Sequence, residues 1–357
     1  MDEREQMAGQ PRPGPQGPRY NRRRLLATVG VAGLGAAGYG VARAFGLGSA
    51  GPQARVRAVP TSVPSATPDP TATPDTRPIT LAMTGDVMLA RTVNDQILAT
   101  HDQFPFNHTA SFLRGFDLTV GNLECVVSTL GTAEPKQFTF EANPLAFGRL
   151  VDAGFDVVSV ANNHSGDFGK GAFVDMLHHL PLVGITPVGG GMNYTQAHMP
   201  VFKTVRSTTI GILAYCEIGP DYFAATSTVP GHSWLEAGAI RADVAAARPR
   251  CDFQIVFTPW GIEYVTTENG HQRDMAQLAI DAGADIVVGA HPHVIQPSEI
   301  YRGKPIIYSL GNFVFDYMTS PLTSAGHVLT LEIQGSRLLS WKLVHMNIGD
   351  WGQPALG

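Results

Sequence analysis

Cysteine is scarce in this sequence: Cys125, Cys216 and Cys251 are the full set in 357 residues. Three thiols allow one disulfide at most, which excludes a disulfide scaffold. The absence of a Cys-x-x-Cys pair excludes the common thiolate zinc sites. Histidine is absent from the first 100 residues, and all 12 follow. Basic excess is absent from the body. Residues 1–78 carry 10 Lys and Arg against 5 Asp and Glu, whereas the rest carries 15 against 25. An acidic body lacks the footprint that nucleic-acid binding requires, so no nucleic-acid partner is expected. At 44% hydrophobic and 15% charged residues, the chain is neither wholly disordered nor a polytopic membrane protein. No internal repeat is present.

The N-terminus reads as an address. Residues 1–20 are polar, rich in Pro and Gly, and read as disordered. Asn21-Arg22-Arg23-Arg24-Leu25-Leu26 then opens a Gly/Ala/Val/Leu run to about Gly48. Basic residues ahead of an apolar run form a signal or anchor pattern. An Arg pair followed by one residue and two leucines resembles a twin-arginine signal. Leu25 to Ala42 gives 18 residues before Arg43, the short limit for crossing ~30 Å of hydrocarbon. We expect an exported protein of the cell envelope or extracellular space, with residues 25–48 as cleaved signal or membrane anchor. No Cys follows the run, which excludes a lipoprotein anchor. Residues 51–78, with six Pro from Pro60 to Pro78, read as a semi-rigid spacer. Residues 1–78 are expected to add nothing to the core.

From residue 79 the pattern changes to strands and helices in alternation. Apolar runs at Ile79–Thr84, Phe116–Val120, Asp156–Val160, Phe253–Thr258 and Asp285–Val288 predict strands buried on both faces of an α/β sheet. Helices are predicted over Pro144–Asp152, Gly171–Leu180, Glu236–Ala247 and Gln272–Ala282. Val201–Val205, Thr208–Tyr215, Pro297–Tyr301, Pro305–Ser309, His327–Ile333 and Arg337–Met346 predict a second, partly antiparallel sheet. The folded body is expected to end at residue 346, leaving 347–357 as a tail.

The polar residues fall where the strands end. Asp86, Asn122, Asn163 with His164, and His291 with His293 each follow an apolar run. Ligands of α/β sheets bind beyond the carboxyl ends of the strands. Oxygen and imidazole donors without thiolate suit Zn, Mn, Fe, Ni or Co. Each residue also has a structural alternative. Asp86 can cap a helix starting near Arg91, Asn122 can hold a left-handed turn, and His-x-His can be a surface turn.

The ordered motifs GDVML (85–89), GNLE (121–124), FDVVSVANNH (155–164), PWGIEY (259–264), GADIVVGAHPHV (283–294) and IIYSLGNFVFD (306–316) resemble the poly-γ-glutamate capsule-synthesis family of CapA-like proteins. That family resembles calcineurin-like metallophosphoesterases. The resemblance implies an α/β fold, a two-sheet αββα sandwich, over residues 79–346. It also implies one or two divalent ions, with Asp86, Asn122, Glu124, Asn163, His291 and His293 as ligand candidates. His164 would be the catalytic acid or oxyanion stabiliser, with Glu263 and Asn312 as further candidates. Three positions depart from the pattern. Met88 stands for a His, Asn122 for the bridging Asp, and Pro259 for the His of a His-Trp-Gly-x-Glu motif. The implied substrate is a phosphoester or an anionic polymer, and the implied partners are capsule or envelope machinery at the membrane. The implied activity is a phosphoesterase-type hydrolase. The alternative is a non-hydrolytic component of polymer assembly or export.

Overall fold

The computed structural model describes residues 75–357. The expected disordered start, the signal or anchor, and the spacer up to residue 74 lie outside the described residues. Among the described residues, no helix is long and apolar enough to cross a membrane.

Two sheets face each other. The first contains β1 (Ile79–Val87), β2 (Leu118–Leu123), β3 (Val157–Ser159) and β4 (Thr186–Val188), paired in parallel in that order. The second contains β5 (Val201–Val205), β6 (Thr208–Ala214), β7 (Phe253–Pro259) and β8 (Ile286–Ala290). It is completed by β9 (Ser298–Tyr301) and β10 (Lys304–Ile307), in the order β9-β10-β8-β7-β6-β5. The chain then returns to the first sheet. β11 (Asn312–Val314) runs parallel to β1, and β12 (Ala325–Gln334) pairs antiparallel with β1. β13 (Arg337–Ile348) and β14 (Pro354–Leu356) continue outward from β12.

This corrects two expectations. The late strands do not form a sheet of their own; they divide between both sheets. Nor are residues 347–357 a tail, because β14 pairs with the end of β13. A third boundary also moves. Asp75 O accepts from Ser207 N at 3.2 Å, and Thr76 O accepts from Gln334 Nε2 at 2.8 Å. Residues 75–78 are therefore fastened to the body rather than free of it.

Strand periodicity sorts the side chains into layers. Ile255 and Phe257 point between the sheets, where they join Leu81, Met83, Val120 and Ile212 in one buried cluster. Val256 points the other way and packs with Val244 of α4 (Ala237–Ala247) and Ala276 of α5 (Gly270–Ala282). The outer face of the first sheet packs on α1 (Arg91–Ala99), α2 (Leu145–Ala153) and α3 (Gly169–Leu182) through Val93, Leu150 and Phe173. The architecture is therefore an αββα sandwich, as the resemblance implies. All three cysteines are free.

Candidate metal centre

The parallel strands carry their polar ends to one place. Asp86 on β1 is in register with Asn122 on β2 and with Asn312 on β11. The register shifts between Met83 and Asp86, and such irregularities re-aim a side chain. Gly85 makes the shift possible. A Cβ there would lie 1.8 Å from the Gly311 carbonyl oxygen. From the second sheet, the loop after β8 reaches across, and His291 N lies 3.2 Å from Asp86 Oδ2. The site is thus shared between the sheets. The alternatives for single residues fall away. Asp86 does not cap α1; Asp316 does, accepting from Thr92 N at 3.0 Å. Asn122 lies within β2, not in a turn.

Glu124, His291 and His293 each place a possible ligand atom within 4.8 Å of the other two, and all three are buried. Asp86 adjoins them, with Oδ2 3.2 Å from His293 Nδ1. Asn312 orients the same imidazole, its Oδ1 3.0 Å from His293 Nδ1. Asn122 donates through Nδ2 to Asp86 Oδ1 at 2.8 Å and to Glu124 Oε2 at 2.9 Å. Its own Oδ1 accepts from Asn162 Nδ2 at 3.1 Å. Glu263 lines the adjoining cleft from an exposed loop but does not join the cluster.

Asp86 and Glu124 are two buried acids joined through one amide, so their charges oppose each other. Burial, and then the Asp86 charge, push the Glu124 carboxyl well above the ordinary range. Burial also opposes the Asp86 charge, but bonding to His293 holds that carboxyl below its usual value. Burial and His293 push the His291 imidazole down to about 3, so its nitrogen lone pair is available. Glu124 Oε1, Asn163 Oδ1 and His291 Nδ1 are buried with no hydrogen-bond partner. Buried polar atoms are normally satisfied. Glu124 and His291 belong to the converging cluster, and their two unsatisfied lone-pair atoms fit a divalent ion, whose charge also answers the paired acids.

His164 stands beside this cluster in a fixed orientation. Its Nδ1 lies 2.7 Å from Asp167 Oδ2, and its ring stacks on Phe140 with centroids 4.0 Å apart. Burial lowers the imidazole pKa, and Asp167 opposes that shift. Asp167 accepts from Phe140 N at 2.7 Å and pairs with Lys136, which also donates to Asn163 O at 2.8 Å. Sequence reasoning missed Asn162, Asp167 and Lys136. The signal for Asp167 was its position three residues after His164. A cavity of about 170 Å³ opens over His164 and His293.

The buried carboxylate–imidazole cluster lies at the strand ends of a two-sheet αββα sandwich, the class of fold that the CapA-like resemblance implies. The sequence profile described as bacterial capsule synthesis protein PGA_cap matches residues 80–317, and the chain belongs to that family. It is 32% identical over 241 residues to the PGA biosynthesis protein CapA of Bacillus subtilis, covering 67% of this chain and 63% of that protein. It is 30% identical over 246 residues to the capsule biosynthesis protein CapA of Bacillus anthracis, covering 67% and 60%. The matched stretch therefore spans less than two thirds of either relative. Similar solved structures include a hypothetical protein from Thermus thermophilus, at TM-score 0.49 and 15% identity over 75% of this chain and 99% of that one. Another is a 5'-nucleotidase precursor from the same organism, at TM-score 0.43 and 14% identity over 75% and 54%. Such likeness is coarse, and the fold stands on its strand order.

Proposed function

We propose that this chain is an exported, metal-dependent hydrolase of phosphoester type that serves capsule or poly-γ-glutamate synthesis. The observation that carries the reading is the converging cluster of Glu124, His291 and His293, with Glu124 Oε1 and His291 Nδ1 unsatisfied, beside the oriented His164. Asp86, Glu124, Asn163, His291 and His293 would hold the ion. When bound, one or two divalent ions supply Lewis acidity and a water of lowered pKa. The chain's own residues do the rest. Asn312 and Asp86 orient His293. Asp167 engages His164 Nδ1, which leaves Nε2 to exchange a proton with the leaving oxygen. The fold's relatives named for capsule and PGA biosynthesis support the biological setting, and the N-terminal address supports export with envelope machinery as partner.

One observation favours a second reading, a non-hydrolytic component of polymer assembly. Asn122 turns its NH2 group, not its oxygen, toward Asp86 and Glu124. Pro259 likewise offers no ligand atom.

Turnover of p-nitrophenyl phosphate by the manganese- or zinc-loaded full chain separates the two. The hydrolase reading expects turnover that falls at least about 100-fold in His164→Asn. Metal bound without turnover would favour the assembly role.

A further inference from the structure

The mouth of the cleft carries features that metal chemistry does not use. Six aromatic side chains are exposed among the described residues: Phe138, Tyr194, Tyr222, Tyr264, Tyr317 and Trp351. Three of them, Phe138, Tyr264 and Tyr317, line the cavity over His164 and His293. They are 53%, 54% and 70% exposed. Large apolar groups gathered at one opening mark a surface that binds something.

Arg91 lines the same cavity. Its guanidinium carbon lies 4.6 Å from the Phe140 centroid, 5.5 Å from Phe315 and 5.3 Å from Tyr317. Nη2 pairs with Asp316, which is itself pinned by Thr92 N. The guanidinium is therefore held in place before any ligand arrives. Its Nε is buried and Nη2 is engaged by Asp316, so Nη1 is the donor left for a ligand. Arg91, Tyr264 and Tyr317 have φ of 54°, 65° and 59°. Side-chain-bearing residues rarely adopt this region, and such strain persists where it aims a group at a ligand.

We propose that the cleft selects a phosphoryl compound bearing a flat ring. Arg91 holds an anionic oxygen of the ligand, and Phe138, Tyr264 and Tyr317 pack against the ring. Stacking needs only a flat face, and a guanidinium N–H makes a charge-assisted hydrogen bond to a phosphate oxygen. This assignment deepens the phosphoester reading and rests on it for the choice of phosphoryl group. It makes Arg91 and the three aromatics determinants of specificity.

Calorimetric titration of the manganese-supplemented full chain with phenylphosphonate and methylphosphonate tests this without requiring turnover. The ring-bearing probe should bind about tenfold tighter. Combining Phe138→Ala, Tyr264→Ala and Tyr317→Ala should bring that ratio close to one. Arg91→Gln should weaken phenylphosphonate roughly tenfold, and Arg91→Lys should recover part of the loss. Equal binding of the two probes, no binding of either, or a ratio unchanged by the aromatic substitutions would overturn the proposal. Kinetics separate its failure from that of the parent reading. A phenyl phosphate to methyl phosphate ratio of kcat/KM left unchanged by the three aromatic substitutions would defeat ring selection alone, because the leaving-group difference is common to both proteins. Ring preference in binding with no hydrolysis would defeat the hydrolase reading alone.

Discussion

The side-chain amide of Asn122 donates to the Glu124 carboxyl at 2.9 Å. The same NH2 group reaches Asp86, so a neutral residue joins two buried acids. In the phosphoesterase pattern a carboxylate stands at this position. Asn122→Asp would put a third acid into the cluster. The metal-free protein should lose stability on the order of 3 kcal/mol, because an unpaired buried charge is costly. Manganese should restore more stability to the variant than to the parent. Denaturant unfolding with chelator and with manganese measures both effects.

Pro259 ends β7 in register with Ala290, immediately before the loop that carries His291. Pro259→His returns an imidazole to the strand end without asking the chain for a new path. Metal occupancy should rise relative to the parent. Elemental analysis after identical loading is the measurement, and unchanged occupancy would mean that position 259 does not face the ion.

Gly85→Ala tests the backbone that aims Asp86. Its Cβ would press on the Gly311 carbonyl, and that backbone is already bonded, with Asp86 N 3.1 Å from Gly311 O. Stability should fall by roughly 3 kcal/mol. Metal content should fall with it because Asp86 must shift. Circular dichroism melting together with elemental analysis reads the pair of effects.

Much of this site was legible in the sequence. Strands buried on both faces are continuous apolar runs, so Ile79–Thr84 and Phe253–Thr258 identified themselves, and the polar residues after them could be read off. Sheet membership was not legible. Nothing local in His327–Ile333 tells whether its partner is β1 or a strand of the other sheet. Asn162 lay in plain view beside Asn163, but its bond to Asn122 joins the loop after β3 to β2, 40 positions away. The Arg91–Asp316 pair is separated by 225 positions. Pattern reading finds what one element displays, and it misses contacts that only the tertiary path creates.

Buried His232 predicts an acid-side loss of stability. Burial pulls its pKa down to about 4, below the unfolded value of 6.5. Above pH 6.5 both states are neutral, and the folded protein has its full stability. As pH falls from 6.5 toward 4, the unfolded chain takes up a proton that the folded chain refuses. Stability should drop by about 3 kcal/mol across that window from this residue. His232→Gln should flatten the pH dependence of the unfolding free energy between pH 7 and 4 by a comparable amount. An unchanged slope would mean that His232 titrates normally in the fold.

The central claim is that Glu124, His291 and His293 form the heart of a divalent-metal site, and metal content tests it most directly. The full chain would be loaded with manganese or zinc, desalted, and analysed alongside Glu124→Gln and His291→Ala, with circular dichroism confirming that all three are folded. The account predicts about one metal or more per parent chain and a severalfold loss in each variant, because removing a direct ligand weakens a site strongly. Negligible metal in a folded parent, or equal metal in all three proteins, would contradict it.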